Sequence, residues 1–226
     1  MEHICKNKLS HYYNERAAEY DEIYEGKGPA IPGSEAYKKD VAEIIKIAAF
    51  FGAGHLLDIG CGTGFWLPHY APNCSKIMLM DQAEKMLSEC GSKIKALELG
   101  NKCRLVQADF FKYNFGSSRF DSAVAGFFIS HLTAEQERAF FAKLKKILKP
   151  NARILIIDSA WSETRKPHRK KEGIQKRTLN NGRTFTIYKR YFDMTDLKAI
   201  LKMHHFKPEL IYYGNVFLCM SAERLD

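Results

Sequence analysis

Five short apolar runs punctuate the chain: His55–Asp58, Ile77–Asp81, Cys103–Asp109, Phe120–Phe128 and Ala152–Asp158. Apolar runs of this length between turn signals suit strands buried on both faces. Helical periodicity separates them. Ala83–Leu99 carries Met86, Leu87, Ile94 and Leu97, and Thr133–Leu148 carries Phe140, Phe141, Leu144, Ile147 and Leu148 at three-to-four-residue spacing. Thr133 is the predicted N-cap of the second helix, which stops before Pro150. Strand–helix–strand alternation implies parallel strands joined by right-handed crossovers. Downstream, Arg183–Phe192 alternates like a strand, Met194–Phe206 reads as a helix, and Glu209–Tyr213 with Val216–Ser221 form a hairpin about Gly214-Asn215. The expected fold is α/β: a doubly wound, mostly parallel seven-stranded sheet with helices on both faces and a C-terminal antiparallel hairpin. Ahead of it, Leu9–Tyr24 is expected to be helical, Gly26–Gly33 a loop and Ser34–Phe50 a lead-in helix.

The 226 residues and 46% hydrophobic content fit one globular domain with an appendage. Charge changes the picture locally. The net charge is +9, and the stretch 165–190 alone carries ten basic residues and one acid, so the rest of the chain sums to zero. Such a segment attracts acidic small molecules, nucleic acid or membrane surfaces, and a solvated basic loop is the plainer alternative. The six cysteines form no Cys-x-x-Cys pair and no Cys/His set has zinc spacing, so no metal is expected and free thiols in a reducing compartment fit best. Met1–Lys6 is followed by no apolar core, which argues against a signal peptide, and the uncharged stretch 59–75 holds glycines, prolines and a histidine, so it is no membrane span. A cytoplasmic protein is expected.

The most informative feature is Asp58-Ile59-Gly60-Cys61-Gly62-Thr63-Gly64, which leaves the first strand and opens a helix. Glycines allow a tight turn and close approach to a ligand. A nicotinamide fingerprint started on Gly60 would need glycine where Phe65 stands. An acid beside the turn suits an ammonium or hydroxyl better than a pyrophosphate. Asp81 closes the second strand, where a carboxylate can accept both ribose hydroxyls; capping the next helix is its structural alternative. Asp109 closes the third, followed by Phe110, where an acid can take an adenine amino group. All three converge on the carboxyl edge of the sheet, where open α/β folds bind ligands.

On these residues the chain resembles class I S-adenosylmethionine-dependent methyltransferases. Leu57–Gly64 is similar to their first motif, Asp81 to the ribose-binding acid, Ala108-Asp109-Phe110 to the adenine-side motif, and Phe120-Asp121 running into Val124–Phe128 to the fourth-strand motif. The resemblance is strong over 55–160. Arg16-Ala17-Ala18-Glu19-Tyr20-Asp21 is similar to an N-terminal cofactor lid. Pro68, early in the next helix, departs mildly from the pattern. The resemblance implies S-adenosyl-L-methionine as cofactor, contacted by Arg16, Tyr20, Asp58, Gly60, Cys61, Gly62, Gly64, Asp81, Gln82, Met86, Asp109, Phe110 and Phe127. It also implies two parts: residues 1–50 as a helical lid with lead-in helix, and 51–226 as a Rossmann-like methyltransferase domain with a basic insertion at about 161–193.

Methyl transfer from a sulfonium is an in-line displacement that depends on positioning. A base helps if the acceptor is a hydroxyl or protonated amine, and His131 after the fourth strand is the candidate, with helix capping its plainer role. Trp161 and Tyr188 are candidate acceptor-pocket aromatics. No Pro-Cys dipeptide and no Asp/Asn-Pro-Pro-aromatic motif occur, which weighs against nucleobase chemistry. A small-molecule acceptor leads, and the basic segment leaves an anionic one open. RNA or protein acceptors, or a non-catalytic binder of the same nucleoside, stay open.

Overall fold

The computed structural model describes residues 2–27, 33–117 and 119–225, with side chains from residue 9 onward. Residues 28–32 of the expected loop and the Cys5 thiol lie outside those described. Helix α1 (Glu2–Arg16) runs into a 3-10 helix (Ala17–Glu25), and α2 (Ser34–Ala49) leads to the sheet. Then come β1 (Gly54–Ile59), the short α3 (Leu67–Tyr70), β2 (Cys74–Asp81), α4 (Glu84–Ala96), β3 (Cys103–Gln107), β4 (Phe120–Gly126), α5 (Ala134–Ile147) and β5 (Leu148–Ser159). The chain closes through β6 (Glu172–Thr178), β7 (Thr184–Arg190), α6 (Met194–Met203), β8 (Phe206–Tyr213) and β9 (Phe217–Arg224).

The main sheet has seven strands in the order β3-β2-β1-β4-β5-β9-β8. The first five are parallel; β9 runs antiparallel to β5 and β8. Order reverses between β1 and β4, so the crevice of a doubly wound sheet opens beyond their carboxyl ends. Strand side chains alternate between two cores. Leu56, Leu79, Val124 and Leu155 pack with α2, α3 and α4, whereas Leu57, Met80, Ala125 and Ile156 pack with α5 and α6. Thr133 caps α5 in a reciprocal capping box with Gln136, and the stripe Phe140, Phe141, Leu144 and Ile147 is buried. The strand after α5 begins earlier than the apolar run indicates. Pro150 is absorbed inside β5 because the β4 pairing is irregular between Phe120 and Ser122.

The basic segment is a second departure. Glu172–Thr178 is not loop but β6, laddered antiparallel to β7 through seven residue pairs. Ile174 is its one apolar residue and it points to solvent, so no hydrophobic alternation marks the strand. Asn181-Gly182, with Gly182 at φ 82°, is the turn signal that could have located the hairpin. The hairpin is fastened by Leu179 and Ile187 to Tyr12 of α1. An ion pair from Arg183 to Glu15 and hydrogen bonds from Asn180 to Glu19 and Glu22 complete the join.

Candidate active site

β1 and β2 run in parallel register, so Asp58 and Asp81 reach the same edge, with Asp109 just beyond β3. The glycine turn folds over them. The Gly60 and Cys61 N–H groups donate to the Met80 carbonyl at 2.8 and 3.0 Å, and the Gly62 N–H donates to Asp81 Oδ2 at 3.0 Å. Gly60 and Gly64 have φ of 68° and 73°, where L side chains are strained. A Cβ on Gly64 would also stand 2.8 Å from Cys90 Sγ. Gly64→Ala is therefore expected to cost about 1–3 kcal/mol in thermal or urea unfolding. An unchanged midpoint would contradict this packing.

Asp58 is hidden from water, and the half-buried Asp81 stands near enough to repel its charge. Asp58 is 4% exposed and accepts the Tyr70 hydroxyl at 2.5 Å. Burial, together with the nearby Asp81, raises its pKa to about 7 against the Tyr70 hydrogen bond. Burial also raises Asp81, opposed by the Ala83 and Gly62 N–H groups. Among the described residues no basic side chain pairs with either acid. A buried acid beside a half-buried one, with no cation to meet them, is costly, and a ligand carrying ammonium and sulfonium charges would offset that cost. These residues fit the adenosyl sulfonium on this ground.

The remaining predicted contacts divide. Tyr20 lies against the turn, 3.8 Å from where a Gly62 Cβ would be. Next to it Asp21 accepts the Thr63 hydroxyl at 2.5 Å and the Lys93 ammonium at 2.6 Å, tying the 3-10 helix to the glycine loop. Cys61 is a neutral thiol, its pKa pushed up by the Cys90 thiol beside it and by burial. Gln82 is exposed beside Asp81. Met86 is 1% exposed in the core under α4. Asp109 is half-buried and accepts the Phe111 N–H at 2.8 Å. Phe110 is 2% exposed, its ring 5.1 Å from that of Phe140, so it packs into the α5 core. Phe127 follows β4 with φ 53°, rare for a bulky residue, and its N–H donates to the Ile157 carbonyl at 2.7 Å.

Beyond Tyr20 and Phe127 lies a cavity of about 310 Å³, walled by α1, the 3-10 helix and the β6–β7 hairpin. Arg16, Lys27, Arg165, Arg169, Lys176, Arg177 and Lys189 line it, against Glu19 and Glu22. Arg16 donates to the Tyr12 hydroxyl at 2.9 Å and stacks 5.1 Å from the Tyr20 ring. His131 lines the same cavity. Its Nδ1 lies 2.8 Å from the Tyr188 carbonyl, which can only accept, so Nδ1 carries the proton and Nε2 accepts the Tyr13 hydroxyl at 2.8 Å. Burial, then Lys189, holds His131 well below the usual imidazole pKa, so it is neutral. Trp161 and Tyr188 do not line the cavity as expected; the Tyr188 hydroxyl turns outward to Glu172 at 2.6 Å. Tyr13, Tyr37, Tyr191 and Lys189 line it instead. Lys189 is 6% exposed, bonded to Ser130 at 2.5 Å and Asp158 at 3.1 Å. No sequence motif marks these residues, because the β6 strand that pairs with the segment carrying two of them has no apolar period.

Comparison with known proteins bears on this geometry. Residues 56–151, which span β1 to the start of β5 and so the whole glycine turn and acid set, match the family described as methyltransferase domain. Residues 56–151 carry a methyltransferase domain. Among curated relatives, it is 25% identical over 154 residues to an uncharacterized methyltransferase of Geobacillus sp., covering 67% of each chain. It is 25% identical over 156 residues to a sterol 4-C-methyltransferase of Caenorhabditis elegans, matching 66% of this chain but only 46% of that protein. The methyltransferase fold extends well past the matched residues. A DhpI–SAH complex superposes with TM-score 0.76 at 19% identity, covering 99% of this chain and 98% of that one. A 1,6-didemethyltoxoflavin-N1-methyltransferase of Burkholderia thailandensis superposes at 0.66 and 17% identity, covering 99% and 90%. Among the described residues no helix of the methyltransferase is long and apolar enough to cross a membrane, and no group of three or more metal-ligating side chains forms.

Proposed function

We propose that this protein transfers a methyl group from S-adenosylmethionine to a small, anionic acceptor held in the cavity beside Tyr20 and Phe127. The observation that carries the reading is the adjacency of two sites of opposite charge. Asp58 and Asp81, which no basic side chain meets among the described residues, suit the cationic cofactor, and a cavity rich in cations suits an acceptor of negative charge. When bound, S-adenosylmethionine supplies a sulfonium-bound methyl group ready for in-line displacement.

The protein's own residues orient and enclose. Asp81 is placed to accept ribose hydroxyls, Asp58 to face positive charge, and Asp109 to take the adenine side. α1 and the 3-10 helix form the lid, latched through Asp21 to Thr63. His131 is placed to receive a proton through Tyr13 if the acceptor is a hydroxyl or amine, since Tyr13 already donates to Nε2.

A cavity of about 310 Å³ is at the small end of ordinary ligand pockets. That size favours a metabolite over RNA or protein. Cys61, Cys74, Cys90, Cys103 and Cys219 are all free thiols, which supports a reducing, cytoplasmic setting. The test is turnover of a metabolite library, read as release of S-adenosylhomocysteine. Turnover confined to anionic members is expected. Cofactor binding with no turnover of any member would instead favour a non-catalytic binder.

A further inference from the structure

The basic residues of 165–190 fall into two groups. Several are neutralised: Lys166 pairs with Glu163, Lys171 with Asp193 and Asp196, Arg183 with Glu15 and, half-buried, Arg190 with Glu137. Of those lining the cavity, Lys189 is paired with Asp158, but three arginines meet no carboxylate among the described residues. Arg165 is 3% exposed and donates to the Ala160 and Val216 carbonyls, at 2.7 and 2.8 Å. Arg177 donates to Gln175 Oε1, the Tyr191 hydroxyl and the Lys176 carbonyl. Arg169 donates to the His168 carbonyl, and its Nε is buried without a partner. Among the described residues none of the three meets a carboxylate, and the two acids lining the cavity, Glu19 and Glu22, are engaged by Asn180.

The Tyr191 phenol reports the resulting field. It is 3% exposed, with the Arg165 guanidinium 4.4 Å from its ring centre. Burial pushes its pKa up, yet Arg177, Arg165 and Lys189 outweigh burial and hold it below the ordinary phenol value. Collecting guanidinium groups that no carboxylate meets on one cavity wall costs stability unless an anion completes the set.

We propose that Arg165 and Arg177, gathered about Tyr191, with Arg169 lining the same cavity, are a built oxyanion subsite that takes the carboxylate or phosphoryl-type group of the acceptor and so determines its specificity. The assignment to the acceptor rests on reading this cavity as the acceptor site; the oxyanion site itself does not. Planar guanidinium forks match both kinds of oxyanion.

The test titrates the full-length chain with inorganic phosphate and with acetate by calorimetry, at constant ionic strength set with chloride. Wild type is compared with Arg177→Gln, Arg169→Gln and the outward control Lys166→Gln, and S-adenosylhomocysteine is titrated into each. Saturable binding of one of the two oxyanions is expected, weakened about tenfold or more by Arg177→Gln and Arg169→Gln and changed less than about twofold by Lys166→Gln. Tighter phosphate binding assigns a phosphoryl-type group and tighter acetate binding a carboxylate. No saturable binding of either ion, or equal weakening by Lys166→Gln, overturns the subsite. Intact S-adenosylhomocysteine binding in that case leaves the methyltransferase reading standing. Failure of S-adenosylhomocysteine to bind the wild-type chain rejects that reading, whatever phosphate and acetate do.

Discussion

Asp81→Ala is expected to weaken binding of S-adenosylmethionine by about ten- to a hundredfold. Each charged hydrogen bond from a ribose hydroxyl contributes about 1.5–3 kcal/mol, and every 1.4 kcal/mol is tenfold in affinity. The carboxylate has a second task. It accepts the Gly62 N–H at 3.0 Å and the Ala83 N–H at 2.8 Å, so it joins the glycine turn to the start of α4. Asp81→Asn separates the tasks: the amide oxygen can keep one backbone bond while the charge is lost. Asn is expected to retain the melting temperature better than Ala and still lose affinity. An unchanged dissociation constant for both variants would remove Asp81 from the cofactor site.

The second large effect concerns Asp58, whose pKa is raised to about 7 by burial first and by Asp81 as a lesser contribution. A carboxyl free in the unfolded chain titrates near its ordinary value of about 4. Between those values the folded state holds the proton and the unfolded state does not. Stability therefore falls as pH rises from about 4 to about 7 and stays reduced above it, by an amount on the order of 4 kcal/mol. Asp58→Asn retains an acceptor for the Tyr70 hydroxyl and removes the charge. It is expected to raise the melting temperature by several degrees at pH 8, with the gain shrinking at pH 5. Cofactor affinity should move the opposite way. In wild type it rises with pH up to about 7 and then levels, because the cationic ligand requires the ionised acid. In Asp58→Asn it is lower at pH 8 and nearly flat with pH. A variant that melts lower at pH 8, or that binds with the wild-type pH profile, would contradict this account. Stability given up at a ligand site is a common pattern in proteins.

The parallel half of the fold is legible in the sequence because its strands are covered on both faces. Leu56 and Leu57, or Met78 and Leu79, point to different cores, and both must be apolar. The carboxyl-edge acids are legible for a related reason: each ends an apolar run, where a buried charge stands out. The cavity beside Tyr20 and Phe127 is written differently. Arg165, Arg177 and Lys189 lie in a stretch whose composition is visible but whose pairing is not. Sequence cannot distinguish Arg183, neutralised by Glu15 from α1, from Arg177, which faces the cavity. That distinction depends on a hairpin whose strand β6 has no apolar alternation, and on contacts between residues more than 150 positions apart. Phe110 shows the converse. Its place after Asp109 suggests a ring beside a ligand, but the demand for a filled core under α5 takes it inward.

Direct titration of the purified chain with S-adenosylmethionine, with NAD as the comparison ligand, bears most immediately on whether this carboxyl edge holds an adenosyl sulfonium. One saturable site for S-adenosylmethionine and none for NAD is the predicted result. No saturable heat from S-adenosylmethionine, or a site that takes NAD in its place, would contradict it.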